Sequence, residues 1–183
     1  MATVPSLSPT PMIDSPETLL PLLDEEGNVV GTLSRKEAHS GSRLLHPVVH
    51  LHVFNSDGQL YLQQRPSWKD IQPGKWDTSV GGHMDAGESI EEALRREVKE
   101  ELGITDYKPQ PLTHYIFDSQ REREMVYVFT TIYNGPITPD PTELAGGRFW
   151  SIQEINKHIG KGIFTPNFEQ EFQQVVFPTL SKK

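Results

Sequence analysis

The sequence contains no cysteine in 183 residues, which removes disulfides, thiolate zinc sites, cysteine nucleophiles and thiol redox chemistry together. A cytoplasmic protein is expected to look this way, because disulfides are rare in that compartment. Long hydrophobic runs are also missing, and no stretch approaches the ~20 apolar residues of a membrane-crossing helix. The N-terminus, MATVPSLSPTPMIDSPE, has neither a basic segment nor an apolar one, so no signal peptide is read there. Positive charge is scarce as well: 17 Lys and Arg stand against 25 Asp and Glu, for a formal net charge of −8. That balance repels phosphate polymers and anionic lipid, so neither a nucleic-acid polymer nor a membrane is an expected partner. A phosphorylated small molecule stays within reach if metal ions supply the positive charge.

What is present predicts one domain. A chain of this length buries roughly 70% of the surface that its unfolded form exposes. Residues 1–16 are rich in Pro and Ser and read as an N-terminal tail or extended arm, leaving residues 17–183 as the domain. "LLPLLDEEGNVVGTLS" reads as a hairpin, and "SRKEAHS" as a short helix capped by Ser34. "HPVVHLHVF" and "QLYLQQR" alternate apolar and polar residues around Asn55-Ser56-Asp57-Gly58, so they read as a second hairpin. "PSWKDIQPGKWD" reads as loop, residues 89–102 as a helix, and "EMVYVFTTIY" as a strand. "GPITPDPTELAGG" then reads as loop, "RFW" as a short strand and "SIQEINKHIG" as a helix capped by Ser151. A last helix starts near Pro166, with Phe168, Phe172, Val175 and Val176 at helical spacing. Strands and helices without regular alternation predict an α+β layered fold.

The helix at 89–102 is unusual. Ser89 and Glu92 form an S-x-x-E capping box, and Gly103 follows Leu102 where a left-handed residue ends a helix. At about 100° per residue, Ile90, Ala93, Leu94, Val98 and Leu102 share one apolar sector, with Glu92, Arg95, Arg96 and Lys99 opposite. Glu97 and Glu101 project beside Ile90 and Leu94, and Glu100 lies at the sector's edge. Carboxylates crowded on a half-buried face repel one another and lose hydration, so they persist where cations sit among them. Oxygen ligands of this kind suit Mg²⁺ or Mn²⁺, which share their coordination with substrate phosphates.

This stretch resembles a Nudix box, G-x5-E-x7-R-E-U-x-E-E-x-G-U with U a bulky aliphatic. Gly82, Glu88, Arg96, Glu97, Val98, Glu100, Glu101, Gly103 and Ile104 fill every fixed position. The resemblance implies a Nudix fold, a mixed β-sheet sandwiched between α-helices (α/β/α). It also implies metal-dependent hydrolysis of a small-molecule diphosphate, typically a nucleoside diphosphate linked to another moiety. Carried over by position, Glu97, Glu100 and Glu101, with Gly82, form the metal set, and Arg96 holds the box acids by ion pairing. Glu88 either reaches the metal shell or only pairs with Arg96. Glu100, Glu101 or a glutamate elsewhere would activate the attacking water, and Glu143 in "PTELAGGRFW" is one such candidate.

Residues 22–150 further resemble the isopentenyl-diphosphate isomerase branch of that family. The resemblance implies an alternative or second metal site at His39, His46, His83, Glu122 and Glu124. It also places Arg35, Arg65 and Lys69 where diphosphate groups are held, while Trp76 and Trp68 are candidates to stack on a nucleobase. Two departures favour hydrolysis over isomerisation: the branch uses a cysteine within the segment Ser79–His83, and its box is usually degraded, whereas this box is intact. The alternatives are an isomerase-like enzyme and a non-catalytic nucleotide-binding Nudix domain. A homodimer is a further expectation from the resemblance.

Overall fold

The computed structural model describes residues 15–69 and 71–180. Most of the expected N-terminal arm, residues 1–14, lies outside them. The first hairpin forms as its alternation requires: β1 (Leu19–Leu23) pairs antiparallel with β2 (Val29–Ser34). Asp24 closes the turn by accepting from the backbone N–H groups of Glu26 and Asn28. Ser34 then caps α1 (Arg35–Ala38), with the reciprocal Glu37 bond in place.

The second hairpin forms, but it is paired only at its turn end. β3 (Leu45–Phe54) and β4 (Leu60–Gln64) meet only where Phe54 opposes Leu60. β3 is buried on both faces, so it needs sheet neighbours along its whole length. It finds them in β8 (Arg123–Ile132), which runs parallel to it over ten residue pairs, and in β6 (Val80–His83), which runs antiparallel. β4 pairs instead with β5 (Trp76–Asp77) and β9 (Gly146–Trp150). β7 (Gln110–Asp118), whose exposed and polar residues gave no strand signal, pairs with β8 at the sheet edge. One mixed sheet results, with the path β5-β4-β3-β8-β7.

Helices cover both faces. α2 (Ile90–Leu102) packs Ala93, Leu94, Val98 and Leu102 against Val49, Leu51 and Val53 of β3. Gly103 ends it at φ 66°, the left-handed geometry foreseen for it. Its capping box is half made: Ser89 accepts from the Glu92 N–H, while the Ser89 hydroxyl donates to the Glu92 carboxylate. On the other face lie α3 (Ile152–His158), α4 (Pro166–Glu171), a π-helical turn (Phe172–Val176) and α5 (Phe177–Leu180). Phe168, Phe172 and Val176 are fully buried, as the spacing of that segment demanded.

Candidate active site

β6 contributes two adjacent glycines, and its register with β3 decides what each one faces. Val49 opposes Gly82 and His50 opposes Gly81. Directly opposed residues share a face of the sheet, so Gly82 lies under α2 and Gly81 on the opposite face. A Cβ on Gly82 would collide with the Glu97 carboxylate. A Cβ on Gly81 would stand 3.3 Å from Cδ2 and 3.4 Å from Nε2 of His50. The side-chain-free strand thus lets a carboxylate approach from one face and an imidazole from the other.

Arg96 organises the acids. From the side of α2 opposite the apolar sector it folds back, half-buried, toward the box acids, as the resemblance implied. Its Nε and Nη2 donate to both oxygens of Glu88 at 2.8 Å, its Nη1 to Glu97 at 2.8 Å, and its Nη2 to the His83 carbonyl at 3.1 Å. Glu88 engages both of its oxygens with Arg96 and with the Asp85 N–H. Glu101 accepts from the Gly81 N–H at 3.2 Å. Burial raises the Glu97 carboxyl to about 7 despite Arg96 beside it, and burial followed by the Glu97 charge pushes Glu101 well above the usual range. Burial also raises Glu100. Carboxylates driven this far toward protonation are a cluster short of positive charge.

A second cluster lies on the His50 face. His46, His83 and Glu124 each bring one ligand atom within 4.8 Å of the others. The His46 Nδ1 bonds the Leu44 carbonyl at 3.0 Å, and the His39 Nδ1 pairs with Glu122. Each of these bonds engages Nδ1 and turns Nε2 toward the cluster. The Nε2 atoms of His39, His46 and His83 are all buried without a hydrogen-bond partner. Burial holds His83 well below its ordinary pKa and lowers His46, which favours in both the neutral imidazole, the metal-binding form. Glu122 is occupied by His39, and Glu124, raised to about 7 by burial and then by Glu122, is the carboxylate facing the rings.

Both clusters open onto one cavity of about 380 Å³. It gathers Glu97, Glu100, Glu101, Gly82 and Glu143 with His39, His83, Glu122 and Glu124, and Arg35, Arg65 and Lys69 line it too. Lys69 lies 3.9 Å from Glu143, and Arg65 lies 3.6 Å from Asp77. Trp76 does not line the cavity. It packs edge-on against Trp150 in the second core cluster, since β5 turns its ring inward. Trp68 is exposed on the neighbouring loop with the Lys69 ammonium 5.2 Å from its ring centre. Several cavity residues escaped the sequence reading, among them His50, Gln63, Asp77 and Asp140. The period-2 alternation of "HPVVHLHVF" could have found His50, because it puts His46, His50 and His52 on one face. No comparable signal marked Gln63 or Asp140.

The chain matches the NUDIX domain family model over residues 44–170. It belongs to the Nudix family. Among relatives of this Nudix protein, isopentenyl-diphosphate Delta-isomerase 1 of Photorhabdus laumondii is 31% identical over 163 residues, covering 85% of this chain and 93% of that one. An uncharacterized Nudix hydrolase of Yersinia pestis is 32% identical over 146 residues, covering 80% of this chain and 79% of its own. DR0079 from Deinococcus radiodurans superposes with a TM-score of 0.73 at 25% identity, covering 85% of this chain and 98% of that one. The MutT protein from Methanosarcina mazei gives a TM-score of 0.62 at 25% identity, covering 76% and 96%. The family assignment and the hydrolase relatives make this protein a hydrolase acting on pyrophosphate bonds. No helix among the described residues is long and apolar enough to cross a membrane.

Proposed function

We propose that this Nudix protein is a cytoplasmic Mg²⁺-dependent pyrophosphohydrolase, with Mn²⁺ able to substitute, and that residues 17–183 act as one domain. Its substrate is a nucleoside diphosphate-type or other organic diphosphate, cleaved by water attack at phosphorus. The observation carrying this reading is the convergence of an intact box and the histidine cluster on one cavity lined by Arg35, Arg65 and Lys69. Glu97, Glu100 and Glu101, with the Gly82 backbone, would hold the metal of the box, and His46, His83 and Glu124, with His39, would hold a second one. The fit is supported by buried Nε2 atoms without partners and by carboxyls that burial drives toward protonation. Bound there, a divalent ion would neutralise the pyrophosphate, acidify a water and stabilise the departing oxygen.

The chain's own groups do the rest. Arg96 keeps the Glu97 carboxylate aimed over Gly82, and the Gly81 N–H keeps Glu101 in place. Arg35, Arg65 and Lys69 draw the phosphate groups into a cavity that would otherwise repel them. Glu100, Glu101 and Glu143 are the candidates to accept the proton of the attacking water.

An isomerase reading is favoured by the 31% identical relative and by the histidine cluster. Gly81 and the absence of cysteine weigh against it. The test is phosphate release from nucleoside, sugar, dinucleoside and isoprenoid diphosphates with Mg²⁺, together with detection of the isomer of isopentenyl diphosphate. Isomer without phosphate release reverses the order of the two readings. Binding without turnover of any compound points to a non-catalytic nucleotide-binding domain.

A further inference from the structure

A buried polar network stands directly behind the cavity and has no part in the metal clusters. Glu171, the last residue of α4, is 1% exposed, yet its carboxylate is saturated with partners. It accepts from Nδ1 of His50 at 2.9 Å and from the Tyr115 hydroxyl at 2.7 Å, and it lies 2.6 Å from Nε2 of His52. A carboxylate this deep requires a cation against it, and among the described residues only these two imidazoles can supply one. The chain leaves α-helical geometry immediately afterwards, in the π-helical turn Phe172–Val176, an irregularity that recurs near functional sites.

His50 links this network to the cavity. Its Nδ1 edge is taken by Glu171, while its Nε2–Cδ2 edge lies over the bare backbone of Gly81 and lines the cavity. No partner for that Nε2 is found among the described residues. Any side chain at position 81 would press on this ring, so Gly81 and His50 are complementary in space.

We propose that His50 is a substrate-contacting residue whose Nε2–H donates to a phosphoryl oxygen of the diphosphate in the cavity, and that Glu171 is the positioning residue that fixes the ring. This rests on the pyrophosphohydrolase reading above. Burial disfavours charge on His50, but Glu171 outweighs it and raises the imidazole to about 9, which keeps Nε2 a donor at neutral pH. The other charged groups felt by His50 are Glu124 and Asp77, both of which reinforce its charge, while His83 faces it as a ring that burial holds toward neutrality. Through its charge His50 also offsets the surplus of carboxylates that a diphosphate must approach.

The substitutions His50→Asn and His50→Gln separate the two edges of the ring. Asn keeps an amide near Nδ1 for Glu171 and has no atom reaching the cavity. Gln places its amide near Nε2 and leaves Glu171. Calorimetric binding of methylenediphosphonate with Mg²⁺, and KM for a hydrolysed diphosphate, are the readouts. H50N is expected to weaken both by ~10- to 100-fold, the range of a hydrogen bond to a charged group, and H50Q to recover part of the loss. In Glu171→Gln, binding should fade as pH rises through neutrality, whereas the parent holds it up to about pH 9. Parent-like binding by H50N overturns the proposal. So does H50Q no better than H50N together with an unshifted pH profile in E171Q, which would leave His50 purely structural. Should H50N fail to fold, the H50Q and E171Q results decide alone. A parent that neither binds methylenediphosphonate nor releases phosphate from any diphosphate overturns the function reading itself, and this proposal with it.

Discussion

Replacing Arg96 by Met keeps most of the side-chain volume and deletes every donor. In the parent, that guanidinium makes two 2.8 Å bonds to Glu88, one of 2.8 Å to Glu97 and one of 3.1 Å to the His83 carbonyl. The Arg96 side chain is 29% exposed and that of Glu88 18%, so water screens the pairs only in part. Each charged hydrogen bond contributes about 1.5–3 kcal/mol alone, but bonds sharing one group do not add. Allowing for that and for the partial screening, the loss is about 2–4 kcal/mol, which in a chain of this size lowers Tm by roughly 5–15 °C. Burial opposes ionisation of Glu88, yet the Arg96 bonds win and depress its carboxyl below 4.5. A depressed carboxyl contributes stability that is present above its unfolded pKa and lost as pH falls through the folded one. The Glu88 share of the gap between parent and R96M should therefore be full at pH 7 and narrow below pH 4.5. Urea unfolding of both proteins between pH 7 and pH 3.5 measures it. A gap under 1 kcal/mol at pH 7, or one that widens on acidification, would show that Arg96 does not hold the box together.

Glu100→Gln and Glu101→Gln should each cut hydrolysis by several orders of magnitude with the fold retained. Because Glu101 is a carboxyl already pushed toward protonation, E101Q is expected to unfold at or above the parent temperature. Full turnover in both variants refutes the placement of the site. Gly82→Ala drives a methyl group into the Glu97 carboxylate, so about 1–3 kcal/mol of stability and most of the activity should go together. Thermal melts and initial rates on one preparation check this, and an active, parent-like G82A would mean that Glu97 is free to move aside.

The local parts of the fold were legible in the sequence because their causes are local. Ser34, Ser89 and Ser151 cap their helices, Gly103 ends α2 in the left-handed region, and Pro166 occupies the first turn of α4. β7 was not legible, because a strand at the sheet edge is specified by its neighbour β8 and not by its own mostly exposed residues. Arg96 sits where helical periodicity puts it, and its pairing with the box acids was legible only through the family resemblance. Its long stem lets the head group reach Glu88 and Glu97 from a position the helical wheel puts on the far side. Trp76 offered an aromatic face without saying which way it would turn, and the partner that turned it, Trp150, is 74 positions along the chain.

What the sequence determined by itself is the chemistry of α2: the glutamates, their spacing and the family to which they belong are all local to residues 82–104. What only the tertiary structure decided is the company those glutamates keep. The register of β6 on β3 puts Gly82 beneath Glu97 and Gly81 against His50, and it brings His46, His83 and Glu124 together from three strands. Pairing register is set by the packing of the whole sheet, and a slip of one residue would send each of these side chains to the other face. No stretch of sequence short enough to scan as a motif contains that information.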